Sequence, residues 1–253
     1  MSNRAILEVC VESVDHATAA ERGGAHRIEL CTDLSCGGIT PSAALTQAVR
    51  RDVRIPIHVL IRPRAGDFCY SYSEFEIMRN EILAAKQFGM NGVALGILLS
   101  NDRVDVERTT ALVELARPLP VTFHRAFDAA PDFEASLEEV IQTGVSRILT
   151  SAGRPLATDS LETLAKLIRK ASGRILIMPC GGINSDNILT VVQTTFAREV
   201  HSSVGTSHVK SGGNGDRPED NEARSAPQIE LFEQKVARLV RLLRDVPCDQ
   251  PSG

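Results

Sequence analysis

One rhythm governs this chain and restricts its fold more than any other feature. A short β-branched run ends in polar or glycine residues, and a stretch with helical spacing follows. The pattern occurs eight times. Ile6–Val11 precedes Ser13–Arg22, Arg27–Cys31 precedes Pro41–Arg51, and Ile55–Arg62 precedes Ser73–Phe88. Gly92–Leu98 then leads to Asp105–Ala116, Val121–Phe127 to Pro131–Gln142, and Arg147–Ser151 to Asp159–Ala171. Arg174–Cys180 leads to Ser185–Thr194, and Glu199–Val204 to a late helix at Gln228–Arg244. Strands that alternate with helices predict a parallel sheet. Eight such units within 253 residues predict a closed (β/α)₈ TIM-like barrel, in one domain covering 1–253. A doubly wound dinucleotide fold would need Gly-x-Gly-x-x-Gly after the first strand. The chain has Val11-Glu12-Ser13-Val14 there, which excludes that reading.

Local signals agree with these elements. Ser13 and Ser73 are expected as N-caps, Pro41 and Pro131 in first turns. Gly23-Gly24, Gly89, Gly144 and Gly173 follow helices as stop signals. The stretch 207–227 is polar and glycine-rich with few apolar residues, so a mobile loop is expected before the last helix. The formal charge is −4, which excludes a nucleic-acid partner of the basic-patch kind. No apolar run reaches the roughly 20 residues of a membrane-spanning helix. No signal-peptide layout precedes the first strand, so a cytoplasmic location is expected. In a reducing cytosol Cys10, Cys31, Cys36, Cys69, Cys180 and Cys248 are read as thiols, and none forms a Cys-x-x-Cys pair.

Strands of a parallel barrel are normally apolar on both faces. Several here are not. Side chains alternate along a strand, so Glu8 shares a face with Cys10 and Glu29 with Cys31. His58 shares one with Leu60 and Arg62, Thr122 with His124, and Glu199 with His201 and Ser203. Outward, these groups would meet apolar helix faces at high cost. Inward, they converge on the barrel axis at its C-terminal end. They form either a self-satisfied polar core, in which Glu8, Glu29 and Glu199 buttress Arg62 and the histidines, or a functional cavity. The cavity is preferred, because a purely structural core is cheaper in Val, Ile and Leu.

The loops after the strands add candidates. Arg62-Pro63-Arg64-Ala65-Gly66-Asp67 suggests capture of an anion by Arg62 and Arg64, with an Arg64–Asp67 loop ion pair as the alternative. Gly181-Gly182 after strand seven and Ser202-Ser203 in strand eight occupy positions that hold phosphate in many barrels. Glu29, Arg62, His124 and His201 are the candidate catalytic residues of an enzyme acting on a small anionic molecule, with His124, His201 or Glu29 as acid or base.

The stretches LEVCVES, RIELC, GGITPS, HVLIRPRAGDFCYS, VTFHRAFD, ILTSAG, MPCGGI and EVHSS are similar to those of the CutC family of copper homeostasis proteins, from about Ile6 to Ser203. The resemblance implies a TIM-like barrel, a cytosolic homo-oligomer and a role in copper handling through Cu(I). It places the proposed copper ligands on Cys10 and Cys31. Cu(I) is soft and favours thiolates, so the pair suits it. Packing as small hydrophobes is the alternative fate of these two cysteines. Departures from the family pattern are Cys180 at a usual glycine, Cys36 before the Gly pair, and His26 in place of Asp. Cys180 is therefore a candidate third thiolate or a narrowing of the anion site. A copper-binding protein and an enzyme of unknown reaction remain the two readings.

Overall fold

The structure, a computed structural model, describes residues 5–205, 225–244 and 246. Eight parallel strands and eight α-helices alternate among them. The strands are β1 (Ile6–Val11), β2 (Arg27–Leu30), β3 (Ile57–Leu60), β4 (Gly92–Leu95), β5 (Val121–Phe123), β6 (Arg147–Thr150), β7 (Leu176–Pro179) and β8 (Glu199–Ser202). The helices are α1 (Val14–Arg22), α2 (Ala43–Asp52), α3 (Tyr72–Gln87), α4 (Val106–Ala116), α5 (Phe133–Gln142), α6 (Leu161–Ala171), α7 (Ile188–Thr195) and α8 (Ala226–Leu243). Ladder pairing runs β7-β6-β5-β4-β3-β2-β1-β8, and β7 lies beside β8 to bring the ring nearly to closure.

Alternation sorts the side chains. Leu7, Val9, Ile28, Leu30, Ile57, Val59, Val93 and Ile148 point outward into one continuous core beneath the helices. Each such side chain, fully buried, stabilises by about 1.5–3 kcal/mol. The other face of each strand lines the axis, where Cys10, Cys31, Leu60 and Ala94 form one small cluster and Leu149, Met178 and Cys180 another.

The strands are shorter than their apolar runs suggest. β3 stops at Leu60 and β5 at Phe123, so Arg62 and His124 stand just past the strand ends. The chain leaves the ladder there because turn backbone and side chains take over its hydrogen bonds. Thr40 Oγ1 accepts from the Arg62 N–H at 2.8 Å, and His124 opens a 3₁₀ turn at Arg125–Ala129. The helix start of α3 is Ser71 rather than Ser73. Ser71 and Glu74 form a reciprocal capping box, which starts the helix two residues earlier and leaves Ser73 inside its first turn. Pro41 and Pro131 each lie one residue before an N-cap, Ser42 and Asp132, whose side chains accept from first-turn N–H groups. The expected loop at 207–227 lies outside the described residues up to 224. Its end differs from expectation, since Ser225 is the N-cap of α8 and Pro227 sits in that helix's first turn. Cys248 also lies outside the described residues.

Candidate metal centre

The axis of the barrel carries ionic groups in its lower half. Arg27 opens β2 and reaches two carboxylates. Its Nε donates to Glu8, and its Nη2 donates to Glu199 at 2.6 Å. Arg147, the first residue of β6, donates Nε to the same Glu199 oxygen at 3.0 Å and Nη1 to Thr122 Oγ1 at 3.4 Å. All four charged groups are buried. Two guanidiniums face two carboxylates, which offsets a desolvation cost of several kcal/mol per ion. Burial alone would raise the Glu8 carboxyl, but Arg27 and His201 outweigh it and hold Glu8 well below the usual carboxylate range. His58 stands beside Glu8, Nδ1 to Oε2 3.9 Å. Burial pulls its pKa down to about 3, with Arg27 and Arg147 adding to the effect against Glu8, so the ring is neutral. Gly92 makes room for it: a Cβ there would stand 2.5 Å from the imidazole.

The next level up holds the sulfurs. Cys10 Sγ lies 3.4 Å from Cys31 Sγ and 3.7 Å from Glu29 Oε2. His201 places Nδ1 2.8 Å from Glu8 Oε1 and Nε2 3.9 Å from Glu29 Oε2. One ligand atom each from Cys10, Glu29 and His201 falls within 4.8 Å of the other two, and all three residues are buried. Cys31 adds a second sulfur to this group. The Cys10 thiol is pushed well up by its hydrogen bond with Cys31 and by burial. For Cys31 that bond pulls down, while burial and Glu29 outweigh it and raise the thiol. Burial lifts the Glu29 carboxyl to about 7, against the pull of His201. Burial disfavours charge on His201, yet bonds with Cys10 and Glu8 and both carboxylates hold its pKa well above the usual value. The donor set is two soft sulfurs, one imidazole and one carboxylate, which suits a soft or borderline ion.

The remaining candidates stand at the barrel mouth. Arg62 is buried and donates to the carbonyls of Cys36 at 3.0 Å, Gly38 at 2.8 Å and Gly66 at 2.8 Å, which staples two loops together. Arg64 pairs with Asp67 at 2.9 Å and Glu74 at 2.5 Å, so the loop ion pair of the sequence alternative is present. His124 accepts from the Ala126 N–H on Nδ1 at 3.1 Å. Gly181 and Gly182 pack against the segment after β6, where a Cβ would meet Pro155 O at 2.7 Å and the Leu156 side chain at 2.3 Å. Ser202 donates to Ile183 O at 2.6 Å and accepts from Val204 N–H at 3.0 Å. Ser203 follows it, half-exposed. Cys180 packs with Leu149 and Met178, apart from the cluster that holds Cys10 and Cys31.

Two expectations need correction. The polar groups do not gather only at the C-terminal strand ends, because Glu8, Arg27, His58, Arg147 and Glu199 fill the lower axis. The sequence reading also missed Arg27 and Arg147. Each begins its strand, and Arg27 shares parity with Glu29, a residue already assigned to the inner face. The period-2 rule that placed Glu29 inward would have placed Arg27 there too.

Fold and site together define the class: a (β/α)₈ barrel whose axis encloses a thiol–imidazole–carboxylate group above an ion-pair base. Comparison with known proteins narrows this further. The sequence pattern of the CutC family matches residues 5–206, and the chain belongs to that family. It is 46% identical over 203 residues to the human copper homeostasis protein cutC homolog, covering 80% of this chain and 74% of that one. Identity to the CutC family protein of Xylella fastidiosa is 41% over 243 residues, covering 96% and 90%. The crystal structure of CutC from Streptococcus agalactiae superposes with TM-score 0.75 at 31% identity, over 79% of this chain and 98% of that one. N-(5'-phosphoribosyl)anthranilate isomerase from Pyrococcus furiosus shares the barrel with TM-score 0.58 at 13% identity, over 96% and 100%, a likeness of fold alone.

Proposed function

We propose that this chain is a copper-handling protein that takes up Cu(I) on Cys10 and Cys31. The observation that carries the reading is the 3.4 Å approach of two buried sulfurs on the axis of a barrel whose relatives bear the copper homeostasis name. Glu29 and His201 flank the pair and would complete or gate it. Copper is the cargo. The protein's part is to present two thiols on adjacent parallel strands, exclude water from them, and accept the protons they release. Both thiols are held protonated, so uptake displaces protons and tightens as pH rises. Glu29, poised near 7, is the nearest acceptor for one of them. His201 carries its own proton and must shed it before it can ligate.

The proposed setting is the cytoplasm, where Cu(I) is the stable state of the ion, with the chain as one domain in a homo-oligomer. No described helix is long and apolar enough to cross a membrane. A competition titration against a Cu(I) chelator on Cys10→Ser and Cys31→Ser tests the reading. Each replaces a soft ligand with a hard one at similar size, and affinity should fall at least a hundredfold. Unchanged affinity in both variants would make these thiols packing residues.

A further inference from the structure

Three buried polar atoms at the mouth of the barrel have no hydrogen-bond partner of ordinary geometry among the described residues: Arg62 Nε, His124 Nε2 and Tyr70 Oη. They belong to one place. The Arg62 guanidinium carbon lies 4.9 Å from the centre of the Phe68 ring, and the His124 ring lies 5.1 Å from the same ring. Arg62 acts electrostatically on His124, and on Tyr70 both through its charge and through side-chain contact with the hydroxyl. All three residues are more than nine-tenths buried, and Phe68, half-buried itself, packs against Arg62 and His124.

Each orphan can be assigned a role. Arg62 Nε–H can only donate. His124 accepts from the Ala126 N–H on Nδ1, so in the neutral ring the proton sits on Nε2, which donates. Tyr70 Oη carries a hydroxyl hydrogen to donate. Gly96 is what lets the imidazole occupy this place, since a Cβ there would stand 2.7 Å from Nδ1. Charge adds to the pattern. Arg64 lies over the Tyr70 ring but is neutralised by Asp67 and Glu74. Arg62 bonds only to carbonyls, and among the described residues no carboxylate pairs with it. A buried, uncompensated cation beside unmet donors is costly unless an acceptor of negative charge joins it.

We propose that Arg62, His124 and Tyr70 form a binding site for a small oxyanion, a carboxylate or phosphoryl group, beside Phe68. Copper does not enter into it: the donors lie above the thiols and offer nothing to a cation. The two sites share the loop at 33–39, whose Gly38 rests against Cys31 and Leu60 and gives its carbonyl to Arg62. An anion held here therefore bears on the wall of the thiol pocket.

The test uses the full chain in chloride buffer at pH 7, with inorganic phosphate in one arm and acetate in the other. Binding is followed by thermal shift and by the ring resonances of His124. One or both probes should raise Tm and move those resonances, and the stronger arm identifies the oxyanion class. Tyr70→Phe should weaken binding about tenfold or more, as expected for losing a bond to a charged partner. Without the anion, Tyr70→Phe should melt close to wild type, because the deleted hydroxyl has no hydrogen bond of ordinary geometry to lose. Arg62→Gln should abolish binding, and if its loops fail to fold, Tyr70→Phe decides alone. No response to either probe would mean that water satisfies these donors, and the proposal falls. It falls equally if Tyr70→Phe binds as wild type does, which would place the anion elsewhere.

Discussion

Acid should weaken this fold through His124, and the size of the effect can be worked out. Burial, with Arg62 adding to it, holds the His124 imidazole down at about 3, against an ordinary value of 6.5. The folded protein therefore refuses a proton that the unfolded chain accepts between these two values. The contribution of the neutral ring to stability is complete above pH 6.5 and is lost as pH falls toward 3. Each pH unit within that window is worth about 1.4 kcal/mol, so descending from 7 to 5 removes about 2 kcal/mol through this one residue. Other groups titrate in the same range, including His58 in the same sense and Glu29 in the opposite one. A difference measurement isolates His124. Urea unfolding of wild type and His124→Gln at pH 7, 6 and 5 in MES or chloride, free of phosphate and carboxylates, gives the two stability curves. At pH 7 the variant should be the less stable. The gap should close by about 2 kcal/mol at pH 5, because glutamine has no proton to take up. Parallel curves would refute the reasoning, since they would mean that the imidazole titrates alike in both states.

Other perturbations follow from the same geometry. Gly92→Ala and Gly96→Ala put a methyl group into the rings of His58 and His124 and should each lower stability by about 1–3 kcal/mol in thermal unfolding; neutral outcomes would mean that the rings are not packed there. Glu199→Ala strips Arg27 and Arg147 of a shared carboxylate and should cost about 3–5 kcal/mol, read as a fall in urea midpoint, whereas an exposed pair such as Arg51–Asp52 should be silent on truncation. Ser71→Ala breaks the capping box of α3 and should cost about 1 kcal/mol, checked by the same unfolding assay.

Much of the barrel is visible in the chain itself because it rests on local chemistry. Alternation assigns Leu7 and Val9 to the helices and Glu8 and Cys10 to the axis. Cap residues, glycine stops and helical spacing give the order of the elements, and eight repeats in this length imply closure. Those signals need only near neighbours. The partnerships on the axis need the closed ring. Arg27 meets Glu199 across 172 positions and His201 meets Glu8 across 193, and no local pattern carries such distances. The stagger between strands sets Cys10 level with Glu29 and brings Cys31 within reach, so it makes one site from two motifs. Only the tertiary structure shows that Arg64 is consumed by Asp67 and Glu74 while Arg62 keeps its Nε–H. Charge type is written in the sequence, but whether a charge is paired depends on what the fold brings within about 3 Å of it, because in a desolvated interior that distance decides its energy.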